Sequence, residues 1–142
     1  MNTILVLGYG LLGKELVKQT NWDYLSRSKD KNFNFNDSNS FKKIIRPYKT
    51  IINCIGNTNT YSNDKDEQWN IHYKAVADLV EICNKNNQKL IHISTDYLYS
   101  GSKSNASEND IPVHNRTWYG YSKLLGDAHV QLRSNNFLII RS

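Results

Sequence analysis

Tyr119 and Lys123 stand four residues apart, a spacing that sets a phenol and an ammonium on one face of any helix that carries them. A phenol with a pKa of about 10 is a poor proton shuttle at neutral pH, and a neighbouring ammonium favours its ionised form. Upstream, Ser94-Thr95-Asp96-Tyr97 closes an apolar run. Thr95 falls at the C-terminal end of that run, where open parallel sheets place their ligands, and its hydroxyl can donate to a carbonyl oxygen that gains negative charge. The Ser94 side chain is expected on the opposite strand face. Tyr121 faces elsewhere on the helix and is the weaker proton donor. Taken alone, Tyr-x-x-x-Lys also describes a surface pair on an amphipathic helix.

A turn at the start of the chain gives the pair a context. Gly8-Tyr9-Gly10-Leu11-Leu12-Gly13 follows an aliphatic run and opens a helical one, the setting in which this pattern binds a dinucleotide. Gly8 permits the tight turn, Gly10 lets the backbone approach a pyrophosphate, and Gly13 allows close helix–sheet packing. The amides that open the helix, from Leu11, Leu12 and Gly13, then face the phosphates. An acidic residue for the adenosine ribose is expected about 20 residues further on. Asp23 comes too early, and the second strand ends in Ser26-Arg27-Ser28. Ser26 and a forked Arg27 guanidinium suit a 2′-phosphate, which favours NADP, with NAD still allowed. The plainer reading of Arg27 is a solvated surface residue.

The elements that must hold these groups fit in one domain: the chain has 142 residues, 39% of them hydrophobic. No window approaches the ~20 apolar residues of a membrane span. Residues 1–8 lack a charged leader region and read as a first strand, so a cytoplasmic protein is expected. The net charge of +5 is spread along the chain, without a run of five basic residues. That suits a phosphate-bearing small ligand, and neither nucleic acid nor membrane is expected as a partner. Cys54 and Cys83 read as reduced core thiols. His72, His92, His114 and His129 lack metal-ligand spacing, so no metal site is expected, and solvated or core histidines account for them.

Strand signals fall at residues 3–7, 22–26, 33–35, 50–55, 89–94 and 137–141. Helix signals fall at 11–20, from Asp37 or Ser38 to about Arg46, at 66–84 and at 119–133, with Pro47 ending the second. Trp69, Tyr73, Val76, Val80 and Cys83 make one stripe on the third of these helices. Residues 100–117, with Pro112, have the composition of a mobile loop. The alternation predicts an α/β fold, a Rossmann-like parallel sheet of about six strands with helices on both faces.

Gly8-Tyr9-Gly10-Leu11-Leu12-Gly13, Asn53-Cys54-Ile55-Gly56, Ser94-Thr95-Asp96-Tyr97-Leu98-Tyr99, Gly101 and Tyr119-Gly120-Tyr121-Ser122-Lys123-Leu124 occur in that order. In these residues the chain resembles the extended short-chain dehydrogenase/reductases, in the branch of dTDP-4-dehydrorhamnose reductase and related sugar-nucleotide-binding proteins. The resemblance implies a catalytic Thr95, Tyr119 and Lys123, with Tyr119 and Lys123 also at the cofactor. It implies a cofactor contact at Cys54, Ile55 and Gly56, an adenine contact at Asn36 and Asp37, and a supporting role for Asn70. The implied activity is NAD(P)-dependent reduction of a nucleotide-linked keto-deoxysugar. Alternatives are a sugar-nucleotide epimerase or dehydratase with retained NAD, or a non-catalytic NAD(P)-binding subunit. A nucleotide-sugar substrate is the implied partner, and a homodimer is left open. Residues 57–67 depart from the reductase pattern. Members of this family are about twice as long, so 1–142 is expected to be an NAD(P)-binding Rossmann domain, a fragment or truncated product lacking the C-terminal substrate lobe.

Overall fold

The computed structural model describes residues 3–99, 105–111 and 115–142. Five short strands, β1 (Ile4–Leu7), β2 (Asp23–Leu25), β3 (Thr50–Asn53), β4 (Lys89–Ser94) and β5 (Phe137–Arg141), pair in parallel in the order β2-β1-β3-β4-β5. Five helices, α1 (Leu11–Thr20), α2 (Lys42–Ile45), α3 (Lys65–Trp69), α4 (Ala75–Lys85) and α5 (Trp118–Arg133), fill the connections. The path steps one way from β1 to β2 and the other way through β3, β4 and β5. Right-handed crossovers therefore place α1 on one face and α2, α4 and α5 on the other.

Strand alternation follows this division. Leu5, Leu7, Ile51 and Leu90 form a core with Val76, Leu79, Val80 and Cys83 of α4 and Val130 of α5. Val6 points the other way, towards α1, where a Cβ on Gly13 would lie 3.6 Å from Val6 Cγ1. The order of strands reverses between β1 and β3, and a ligand crevice is expected beyond their C-terminal ends.

Among the described residues the parallel sheet has five strands and lacks the sixth that residues 33–35 were expected to add, because they do not pair with a neighbour. Local bonds take their backbone groups instead: Phe33 N donates to the Asp30 carbonyl, Asn34 N to Ser40 Oγ, and the Asn34 carbonyl accepts from Asp37 N. The alternating aromatics are nonetheless buried, with the Phe33 and Phe35 rings 5.5 and 5.9 Å from Phe41. The expected helix after Asp37 is likewise divided. Asp37 accepts from Asn39 N and caps a single 3₁₀ turn, Ser38–Ser40, before α2 begins.

Residues 65–85 form one helical rod interrupted by a π turn at Asn70–Lys74. Such a turn adds one residue to the local pitch and shifts the phase of everything before it. The expected stripe accordingly holds from Val76 to Cys83, but upstream it is Gln68 and His72 that are buried, while Trp69 is 46% exposed. Gly101, Pro112 and His114, and so part of the loop expected at 100–117, lie outside the described residues. Among the described residues no helix is long and apolar enough to cross a membrane.

Candidate functional site

The crevice beyond β1 and β3 is a cleft of about 470 Å³ lined by Gly8, Tyr9, Gly10, Ser26, Arg27, Ser28, residues 33–36, Cys54, Ile55, Gly56, Glu67 and Ile71. Gly8 turns with φ at +96°, a conformation that a side chain resists. A Cβ on Gly13 would collide with the Gly8 carbonyl oxygen, whereas the space over Gly10 is open. Gly10 precedes α1 as its N-cap and offers no side-chain cap, so the amides of Leu11, Leu12 and Gly13 are left for a ligand. Leu11 is 95% exposed at that point. The donors, the open backbone and the cleft together fit the pyrophosphate of a dinucleotide.

Ser26 is buried and its hydroxyl pairs with Ser28 at 2.9 Å while accepting from Lys29 N, which folds the strand end into a tight turn. Arg27 is exposed at the tip of that turn, on the rim of the cleft. Lys29 is engaged on the Tyr24 carbonyl and ring, and Tyr24 in turn stacks on Tyr9 at 4.1 Å. Asn36 lines the cleft; the neighbouring Asp37 uses its carboxylate on Asn39 N. Burial pushes the Cys54 thiol up to about 11 and Cys83 to about 12, so both stay protonated, and neither is in a disulfide.

Thr95, Tyr119 and Lys123 gather beyond the end of β4. Thr95 Oγ1 accepts from Tyr97 N, and the Tyr97 ring meets the Tyr119 ring edge-on at 5.8 Å. Thr117 caps α5 by accepting from Gly120 N, which sets Tyr119 in the first turn of the helix. Lys123 is 5% exposed and its Nζ donates to the Ile93 carbonyl. Burial lowers its pKa and the Asp127 carboxylate, one turn on, opposes that. Ser94 points away from Thr95, donating to Asp127 at 2.7 Å. Asn70 is half-buried inside the π turn.

Asp127 anchors a buried polar cluster that motif reading does not single out. Its Oδ2 accepts from Ser94 and from Arg141 Nε, and its Oδ1 lies 3.5 Å from His92 Nε2. Asn53 Oδ1 accepts from Ile55 N, so its amide nitrogen faces His92 Nδ1 at 3.3 Å. Nδ1 is therefore an acceptor, and the His92 proton sits on Nε2, towards Asp127. Burial lowers the His92 pKa against the pull of Asp127. Burial also acts to raise that of Asp127, but bonds from His92 and Ser94 and the Lys123 charge outweigh it and keep the carboxyl below its usual range. Spacing along the sequence does not reveal this cluster, because its members come from β3, β4, α5 and β5.

A second hollow of about 470 Å³, next along the same rim, is lined by Asp96, Tyr97, Tyr99, residues 105–108 and Arg141. Arg141 Nη1 donates to Tyr99 OH there. Among the described residues no group of three or more His, Cys, Asp or Glu is placed to hold a metal ion.

Comparison with known proteins agrees with the fold. The chain is 29% identical to the spore coat polysaccharide biosynthesis protein SpsK of Bacillus subtilis, over all of this chain and 53% of that protein. It is 30% identical to the methionine adenosyltransferase 2 subunit beta of Pongo abelii, over 89% of this chain and 42% of that one. A crystal structure of the Bacillus anthracis dTDP-4-dehydrorhamnose reductase in complex with NADP superposes with a TM-score of 0.86 at 25% identity, covering 99% of this chain and 53% of that one. The chain thus spans about half the length of these relatives. A family model, that of the RmlD substrate binding domain, matches residues 1–142 from end to end, and the chain belongs to that family.

Proposed function

We propose that this chain is the dinucleotide-holding portion of an NAD(P)-dependent reductase acting on a nucleotide-linked keto-deoxysugar. The observation that carries the reading is the shared rim. The uncapped start of α1 with its glycine cleft and the Thr95, Tyr119 and Lys123 cluster lie along the same edge of one sheet. A dinucleotide bound there supplies the reducing equivalent. Residues Gly8, Gly10, Leu11, Leu12 and Gly13 would hold its pyrophosphate, Ser26 and Arg27 a 2′-phosphate, Asn36 and Asp37 the adenine side, and Cys54, Ile55 and Gly56 the middle. Arg27 makes NADP the preferred form.

The chain's own groups then manage the substrate oxygen. Thr95 Oγ1 already accepts from Tyr97 N, which leaves its proton to donate to the sugar carbonyl oxygen. Tyr119 delivers a proton to that oxygen, and the Lys123 ammonium stabilises the phenolate left behind. Lys123 keeps two N–H donors beyond the one on Ile93, enough to hold a ribose hydroxyl.

Similarity to a methionine adenosyltransferase subunit favours a second reading, a non-catalytic dinucleotide-binding subunit. One experiment separates the two. The chain is titrated calorimetrically with NADPH and NADH, and the NADPH complex of a full-length version that carries the substrate lobe is then given a nucleotide-linked 4-keto-deoxysugar. The reductase reading expects tighter NADPH binding, weakened in Arg27→Ala, and NADPH consumption lost in Tyr119→Phe without loss of binding. Binding with no consumption turns to the subunit reading, and a folded chain that binds neither dinucleotide rejects both.

A further inference from the structure

We propose that His72 is a positioning residue of this site, a strap that holds the backbone after Gly56 against the turn of α5 that carries Tyr119; this rests on the dinucleotide-site reading above. His72 Nε2 accepts from Asn57 N at 3.0 Å, and Nδ1 lies 2.9 Å from Ser122 Oγ. Ser122 Oγ donates to the Tyr119 carbonyl at 3.0 Å. The imidazole also stands edge-on to the Tyr119 ring, 5.3 Å away.

The chemistry fixes the direction of every bond. A backbone amide only donates, so Nε2 must be the bare nitrogen and Nδ1 carries the proton. Ser122 then accepts from Nδ1–H and passes its own hydrogen to the Tyr119 carbonyl. Because one end of this chain is a peptide N–H, it cannot relay a proton; it can only hold. Burial, with the charges of Lys123 and His92 adding to it, pushes the His72 pKa down to about 3, so the required neutral form persists through the physiological range.

Two local devices bring His72 into place. The π turn at Asn70–Lys74 rotates residue 72 towards α5, and such turns are frequent at functional sites. At Gly126 of α5 a Cβ would collide with the His72 carbonyl oxygen, so only a glycine lets the two helices approach this closely. The ends of the strap lie on the two halves of the proposed site: Cys54, Ile55 and Gly56 line the cleft immediately before Asn57, and Tyr119 is the proposed proton donor.

Two measurements on the chain test this. In a ¹⁵N-histidine sample, long-range imidazole spectra should show His72 as the neutral Nδ1–H tautomer between about pH 5 and 8. An Nε2–H tautomer, or protonation within that interval, overturns the proposal. In the second, NADPH affinity is compared among variants. His72→Phe, which keeps a ring but neither bond, should weaken binding about tenfold, and His72→Gln, which restores an acceptor for the Asn57 amide, should recover to within about threefold. Equal affinities for the wild type and His72→Phe, or Gln no better than Phe, overturn it. Should His72→Phe fail to fold, Ser122→Ala removes a single anchor and should weaken binding in the same direction; unchanged affinity overturns the strap. A wild-type chain that binds no dinucleotide yet shows the expected tautomer rejects the cofactor reading and the positioning role with it, leaving a structural bridge.

Discussion

At the residue scale the site depends on ionisable groups kept out of water. Lys123 and Asp127 are one helical turn apart on α5 and both buried, at 5% and 1% exposure, so each supplies the countercharge the other needs. The histidines beside them make stability depend on acid. In the unfolded chain His72 takes up a proton near pH 6.5, but in the fold only near 3. Between those values the unfolded state binds more protons, so falling pH drains stability by about 1.4 kcal/mol per unit for this group. His92 acts in the same direction. Asp127, held low, contributes stability above the ordinary carboxylate range and loses it only as the pH falls through its folded value. Urea midpoints should therefore drop steadily from about pH 6.5 to 4.5, and His72→Gln should flatten that slope; an unchanged slope would remove His72 from the titration.

At the scale of elements, the glycines of the first turn have different tasks. Gly13→Ala would force a Cβ into the Gly8 carbonyl, which is backbone and cannot swing aside, so a loss of about 1–3 kcal/mol is expected. Gly10→Ala meets nothing and keeps φ at an ordinary −79°, so it should fold normally while obstructing a ligand's approach. Thermal melts and dinucleotide titrations of the two variants check this; a destabilised Gly10→Ala beside a neutral Gly13→Ala would reverse the assignment. The turn was legible because its glycines answer to local geometry. Residues 33–35 were legible as buried but not as unpaired, since alternation reports which side is wet and not where the amides bond. The stripe on 65–85 went out of phase at the π turn, which no hydrophobic period encodes. For that reason Trp69 and Tyr73 stood in the sequence where Gln68 and His72 stand in the fold. The positions of Thr95, Tyr119 and Lys123 in the elements were legible because two share a helix and one directly follows a strand. The Asn53, His92, Asp127 and Arg141 cluster was not, being assembled by strand order.

At the scale of the molecule the two faces of the sheet are unequally covered. Among the described residues α1 alone lies opposite α2, α4 and α5, and on β5 Leu138 and Ile140 remain 45% and 43% exposed. β5 is also the outermost of the described strands, with β4 as its one strand neighbour. An exposed apolar edge of this kind templates association. The chain by itself should therefore scatter light increasingly with concentration, and Leu138→Lys should suppress this; a strictly monomeric wild type would show that the edge is already protected.

Arg141 belongs to that same outer strand, and its guanidinium is bonded to Asp127. Whenever the border of the sheet frays, the carboxylate inside loses a partner, and Lys123 feels a different field. The ammonium proposed to serve Tyr119 is thus tuned from the outermost strand of the described sheet. Amide exchange along β5 would report how often the site is out of tune.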